Sequence, residues 1–241
     1  MFNAIAPRYE LVNSVFSAGR DAYWRHRAVE LAAVQSDDEV LDLASGTGDF
    51  ARAFASARPR RVVGCDFAHE MLIRAASGSE RIPDRAAAEW ERSGRHALGG
   101  ERARVSHWVE ADALCLPFSE GSFSIASCAF GVRNFVDLDA GLREMHRVLR
   151  GGGRAIILEF TCPASPVLRR LFEFYSNRLM PVAASLVSGD RSGAYRYLPR
   201  SVVSFIDAEQ MCARLTSVGF SRVSATPLSM GVVTVYAAER T

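Results

Sequence analysis

The chain contains no lysine: all 29 basic side chains among its 241 residues are arginine. A Walker-type phosphate loop, a pyridoxal Schiff base and a lysine nucleophile all need a primary amine on a side chain, so each is excluded. Excess charge of one sign is lacking as well. The 29 basic and 27 acidic residues leave a formal net charge of +2, so there is no polybasic footprint and no nucleic-acid partner is expected. Cysteine is sparse. Cys65, Cys115, Cys128, Cys162 and Cys212 are odd in number and never spaced C-x-x-C, which argues against a disulfide framework or zinc knuckle and for reduced thiols. The five histidines lack ligand spacing, and neither H-E-x-x-H nor G-x-S-x-G occurs, so no metal site or nucleophilic triad is expected. No apolar run reaches the length of a membrane span, and the opening MFNAIAPRY is not a signal peptide. A cytoplasmic protein is expected, one that can still touch a membrane surface.

What the chain does have is alternation. With 49% hydrophobic and 23% charged residues, it can bury an ordinary core. After residue 38, strand-length apolar runs alternate with helical stretches, the pattern of a parallel sheet wrapped by helices. Strands are predicted at 39–43, 61–65, 105–110, 123–128, 154–160, 220–226 and 232–238. The last two are joined by a short loop, and a parallel crossover needs a dozen or more residues, so one of them must run antiparallel. Three segments stand outside the alternation. Residues 1–36 read as a helical cap anchored by Trp24, Val29 and Leu31. Residues 77–104, with six arginines, five acids and four glycines, read as a solvated excursion. Residues 161–199, rich in rings, read as extra core or a substrate cover. The whole is expected to form one domain over 1–241.

The sharpest local signal is Asp42-Leu43-Ala44-Ser45-Gly46-Thr47-Gly48-Asp49-Phe50, which follows the first strand and opens a helix, where such a sheet binds its ligand. Gly46, Gly48 and Ala51 formally satisfy a dinucleotide fingerprint. Asp42 and Asp49, however, set two carboxylates beside any pyrophosphate, and like charges in a partly desolvated site repel strongly. A ligand carrying an ammonium and a sulfonium suits the loop better. Asp66 ends the second strand, twenty residues after Gly46, where a carboxylate can accept both ribose hydroxyls. Asp112, beyond the third strand, is placed to accept from an adenine amino group. Each aspartate alone could be a helix cap or a turn residue. Together with the glycines they point to S-adenosylmethionine.

On these and further motifs the sequence resembles the S-adenosylmethionine-dependent C-methyltransferases of menaquinone and ubiquinone biosynthesis. The resemblance spans nearly the whole chain. It rests on the opening run from Phe2 to Tyr9 with Leu11, Asn13, Ser17 and Trp24, and on the glycine loop at 42–50. It continues through Leu116-Pro117-Phe118, Phe130-Gly131-Val132-Arg133-Asn134, and Arg147-Val148-Leu149 on to Glu159. Ser188-Gly189-Asp190 and Tyr195-Arg196-Tyr197-Leu198-Pro199 complete it. The resemblance implies a seven-stranded, mostly parallel Rossmann-like sheet whose last strand is antiparallel, with helices on both faces. It also implies cofactor contacts at Thr47, Asp66, Asp112 and Ala113, to which the loop adds Asp42, Gly46 and Gly48. This chain departs from the family pattern at several positions. Ala129 stands where a cofactor-contacting serine is usual, Glu10 replaces an aspartate, and Asp21 a histidine. Arg150-Gly151 replaces lysine-proline, the 77–104 excursion is longer than usual, and Ser229-Met230-Gly231-Val232 stands where the family carries a T-G-G-I-type string.

The implied reaction is C-methylation of a polyprenylated quinol ring, demethylmenaquinol first and the methoxy-polyprenyl-benzoquinol of ubiquinone synthesis second. A greasy pocket is expected under the N-terminal segment with Tyr9 and the 161–199 insert, lined by Phe172, Tyr175, Tyr195 and Tyr197. A ring carbon becomes nucleophilic when a neighbouring hydroxyl ionises, and an apolar pocket opposes that ionisation. Arg133 is the candidate to stabilise the phenolate and Asn134 to orient the ring. A structural ion pair for Arg133 is the competing reading. Peripheral contact with the inner face of the membrane, a homodimer or a quinone-synthesis complex are all compatible with such a substrate. Methylation of another hydrophobic small molecule, a non-catalytic cofactor-binding protein and a nicotinamide dehydrogenase are the competing functions, the last disfavoured by the acidic loop.

Overall fold

A computed structural model describes residues 17, 19–77, 105–163, 165–167, 169–170, 201–202 and 205–241. After helix α1 (Asp21–Ala32) come β1 (Glu39–Leu43), α2 (Asp49–Ser56), β2 (Arg61–Asp66), α3 (His69–Ser77) and β3 (His107–Glu110). The second half holds β4 (Phe123–Ala129), α4 (Leu138–Val148), β5 (Leu149–Phe160), α5 (Ala208–Ser217), β6 (Phe220–Leu228) and β7 (Val233–Arg240). They build one sheet in the order β3-β2-β1-β4-β5-β7-β6. Strands β1 to β5 pair in parallel, while β7 runs antiparallel to both β5 and β6. The mostly parallel sheet with one reversed strand is thus the observed architecture, and the short 229–232 connection is the reason: it can only turn a hairpin.

Burial explains why these runs are strands. In β1, β2 and β4 nearly every residue is buried, as expected when helices cover both faces of a parallel sheet. Alternate residues serve opposite layers. Val40, Val62, Ile125, Ile156 and Leu158 pack with Trp24, Phe50 and Phe54 of α1 and α2. Leu41, Leu43, Val63 and Ile157 pack with Leu142, Met145, Met211 and Leu215 of α4 and α5. Two of the covering helices are started by polar caps: Asp137 accepts from the Ala140 amide at 2.9 Å, and Asp207 and Gln210 form a reciprocal capping box.

Two details differ from the sequence reading. Strand β5 begins at Leu149, because Leu149 pairs with Phe123 before the register shifts across the glycines. Leu31 is 37% exposed while Trp24 and Val29 are buried; the buried stripe of α1 runs through Ala22, Arg25, Ala28 and Ala32 and leaves Leu31 at its margin. In α4, His146 packs edge-on against Phe220, ring centroids 4.9 Å apart. Residues 1–16, nearly all of the 77–104 excursion and 171–200 lie outside the described residues, so Tyr9, Phe172, Tyr175, Tyr195 and Tyr197 do too. Among the described residues no helix is long and apolar enough to cross a membrane. Cys65, Cys115, Cys128 and Cys212 are free thiols.

Candidate active site

Strands β1 and β4 are neighbours, and their chains part at the carboxyl end. Beyond β1, Ala44 turns left-handed (φ 50°) and the Ser45 amide donates to the Cys65 carbonyl of β2 at 2.9 Å. Beyond β4, Phe130 does the same (φ 57°), but its amide donates the other way, to Leu158 of β5 at 2.7 Å. The two exits diverge and open a crevice at the point where the strand order reverses, the place where open α/β sheets bind ligands. Non-glycine residues held in the left-handed region cost energy and cluster at functional sites.

The glycine loop forms the β1 side of this crevice. Gly46 (φ 55°) and Gly48 (φ 86°) both adopt left-handed backbone, and nothing lies within 4 Å of where a Gly46 Cβ would stand, so the backbone there lies open to a ligand. Gly48 caps α2 without a side-chain bond. Thr47 is buried between the two glycines, and its carbonyl accepts from the Arg52 guanidinium. Behind the loop, Asp42 is completely buried, with Oδ1 accepting from the Ser127 hydroxyl at 2.7 Å. Its Oδ2 receives no hydrogen bond of ordinary geometry. Burial pushes this carboxyl up to about 7, against the weaker pull of Ser127, the Ala51 amide and Arg25.

Asp66 closes the second strand beside the loop. Its Oδ2 accepts from the Gly46 amide at 2.7 Å and its Oδ1 from the Ala68 amide at 2.8 Å. The Phe67 amide also holds the carboxylate, and burial raises it against the pull of these three amides. Asp112 is exposed, with Oδ1 holding the Leu114 amide at 2.9 Å, and Ala113 follows it on the same turn. The loop, Asp66, Asp112 and Ala113 therefore stand along the carboxyl ends of adjacent strands. Phe67, 71% exposed directly after Asp66, was not singled out from the sequence. An apolar ring left in solvent at the rim of the crevice is suited to cover the face of a flat ligand.

The charges require one correction. Asp49 does not bring a free negative charge to the loop, because its carboxylate lies 3.5 Å from Arg25 and 3.2 Å from Arg52. With Asp42 raised to about 7, the negative character of the crevice comes chiefly from Asp66 and Asp112. A preference for a cationic ligand would rest on these two acids.

Arg133 and Asn134 lie in the short 3-10 turn Val132–Asn134 on the β4 side. Arg133 Nη1 donates to Glu159 Oε1 at 2.8 Å and to the Phe130 carbonyl, with the two side chains 3% and 0% exposed. The guanidinium also lies over the Phe160 ring, 5.6 Å from its centroid. Its charge is thus already balanced by a buried carboxylate, which is the structural ion pair named above as the competing reading. Asn134 Nδ2 reaches the Phe130 carbonyl at 3.5 Å, and Asp137, not Asn134, caps α4. Gly131 is dictated by packing: a Cβ there would stand 2.7 Å from both Ala44 and the Cys128 sulfur. Among the described residues no cluster of three histidines, cysteines or acids is placed to hold a metal.

A sheet of this order, with an open glycine loop after β1 and acids after β2 and β3, defines the class of S-adenosylmethionine-dependent methyltransferases. Solved structures share the fold. One is an S-adenosylmethionine-dependent methyltransferase from Thermotoga maritima, with TM-score 0.63 and 15% identity over 100% of this chain and 98% of that one. Another is the cyclase SpnF, with TM-score 0.61 and 16% identity over 91% of this chain and 80% of its own. At such identity the likeness shows the fold alone, and a cyclase on it is a reminder that fold does not fix the reaction. The particular family is shown by sequence: the chain belongs to the ubiE/COQ5 methyltransferase family, whose pattern matches residues 1–240. It is 39% identical to the demethylmenaquinone methyltransferase of Thermus thermophilus over the full length of both chains. It is 41% identical to the ubiquinone/menaquinone biosynthesis C-methyltransferase UbiE of Geobacter sp. strain M21, covering 98% of this chain and 93% of that one.

Proposed function

We propose that this enzyme methylates a ring carbon of a polyprenylated quinol with S-adenosylmethionine, demethylmenaquinol being the first substrate and 2-methoxy-6-polyprenyl-1,4-benzoquinol the second. The observation that carries the reading is full-length identity of 39% to a demethylmenaquinone methyltransferase, on a chain whose crevice keeps the glycine loop and both rim acids. S-adenosylmethionine supplies an electrophilic methyl group on a sulfonium.

The residues present fit that cofactor. Asp66 offers its remaining lone pairs to the ribose hydroxyls while its amide bonds fix the carboxylate in place. Asp112 accepts from the adenine amino group, the Ala113 backbone meets the ring edge, and Phe67 covers a face. The open Gly46 backbone with Thr47 and Gly48 admits the amino-acid end, and Asp42 behind the loop ionises toward its ammonium. Transfer to carbon is an in-line displacement, so the chain's main work is alignment and exclusion of water. Arg133 acts here as a positioning residue: locked to Glu159 and Phe130, it fixes the β4 side of the crevice against which the ring is held. Asn134, next to it, faces the same carbonyl. The ring-rich segment 161–199 and Tyr9 belong to the substrate side of this proposal.

Incubation of the protein with labelled S-adenosylmethionine and each quinol separately, followed by mass spectrometry, tests the reading. A ring-carbon methyl on demethylmenaquinol is expected. An O-methyl product, or none from either quinol, would overturn it.

A further inference from the structure

The rim around the crevice is divided. On its β2–β4 half, exposed Phe67 and Val136 stand among the exposed acids Glu110, Asp112 and Asp137. On its β5–β7 half, among the described residues, stand the exposed apolar side chains Met230, 76% in solvent, and Val167, 68%. There the neighbouring exposed charges are Arg20, Arg169 and Arg170. Asp21, the acid next to Arg20, is turned onto Ser17 and Arg25.

These residues are brought together by contacts. Trp24 Nε1 donates to Ser229 Oγ at 2.8 Å and Arg20 Nη1 to the same oxygen at 3.4 Å. Thr161 Oγ1 donates to the Gly231 carbonyl at 2.8 Å, and Gly231 packs against Pro163, whose carbonyl accepts from Arg169 Nε at 3.4 Å. The hairpin tip is therefore held rigidly beside the segment carrying Val167, Arg169 and Arg170. The tip is also strained: Ser229, Met230 and Gly231 all have positive φ, at 48°, 59° and 87°. Glycine would suit the middle position, where φ is 59°. This chain instead puts a long, flexible apolar side chain there and points it into water.

We propose that this half of the rim docks on an anionic lipid surface, with Met230 and Val167 entering the apolar layer and Arg20, Arg169 and Arg170 meeting headgroup phosphates. Charge selects the occupant. Among the described residues, these three arginines have no exposed acid set against them on this half of the rim; they complement a negatively charged bilayer, and the exposed apolar side chains beside them add the burial that charge alone lacks. The face lies beside the crevice, so docking would present the crevice to the lipid. The proposal deepens the reading of a lipophilic substrate, but its test uses no quinol, so the two fail separately.

The test is flotation of the protein with vesicles of phosphatidylcholine alone or with phosphatidylglycerol added, at low and high salt. Binding only to the phosphatidylglycerol vesicles, weakened by salt, is expected. Arg169→Ser with Arg170→Ser should reduce it at least tenfold, from about fivefold per arginine near an anionic surface. Met230→Gly should weaken it several-fold while leaving the melting temperature equal or higher, because glycine relieves the left-handed strain. No vesicle binding, equal binding to both vesicle types, or wild-type binding by all of these variants would overturn the proposal.

Discussion

Asp42 and Glu159 occupy corresponding places on either side of β4, one near the carboxyl end of β1 and the other near that of β5, and neither touches solvent. They are served very differently. Glu159 receives the Phe160 amide at 2.8 Å, the Arg133 amide at 3.3 Å and the Arg133 guanidinium at 2.8 Å. Burial still raises it, but a full cation opposes that rise. Asp42 has one hydroxyl at hydrogen-bond distance and an oxygen that no donor reaches in ordinary geometry. A buried acid with every partner in place maintains structure, whereas one left short of donors has a vacancy that a ligand can fill. On the proposed function, the difference separates the scaffold of the crevice from its binding half.

The largest effect should come from breaking the scaffold half. Arg133→Gln leaves Glu159 buried without its cation, a loss of about 3–5 kcal/mol, read as a lowered urea midpoint. Changing Glu159→Gln in the same chain should restore most of it. Wild-type stability in the single variant would dissolve the contrast between the two acids. Next comes Asp42. In the unfolded chain it ionises near 3.8 and in the folded chain near 7, so the stability present below pH 3.8 is lost as pH rises toward 7. The displacement corresponds to no more than about 4 kcal/mol. Asp42→Asn should remove that slope and be relatively more stable above pH 7. In the wild type, affinity for S-adenosylmethionine should rise with pH through about 7, and in the variant it should be flat; calorimetry at pH 6 and 8 reads both. The smallest of the three changes is Asp66→Ala, which should weaken cofactor binding at least tenfold, since a hydrogen bond to a charged group contributes roughly 1.5–3 kcal/mol. Unchanged affinity there would remove Asp66 from the binding half.

Strand positions were legible because burial on both faces leaves long apolar runs, and the reversed strand because a short connection permits nothing else. The glycine loop, Asp66 and Asp112 were legible from their places after successive strands. Partner choice was not. Asp42 meets Ser127 across 85 residues of chain, and Arg133 meets Glu159 across 26; no periodicity encodes which side chain faces which across parallel strands. Arg25, whose charge offsets Asp49, comes from a helix that precedes the sheet entirely. Phe67 escaped notice because a single aromatic after a strand carries no pattern, and only its exposure marks it.

Trp108 of β3 lies across the backbone of both Gly64 in β2 and Gly48 in the loop, and a Cβ on either glycine would collide with its ring. The two glycines are bound to the indole for different reasons. Gly48 is required twice, by the ring and by its own φ of 86°, whereas no positive φ constrains Gly64 and the ring is its main obstacle. Over evolutionary time the two positions should therefore drift differently. A lineage that shrinks residue 108 can let residue 64 become alanine, while residue 48 stays glycine whatever happens at the sheet's edge.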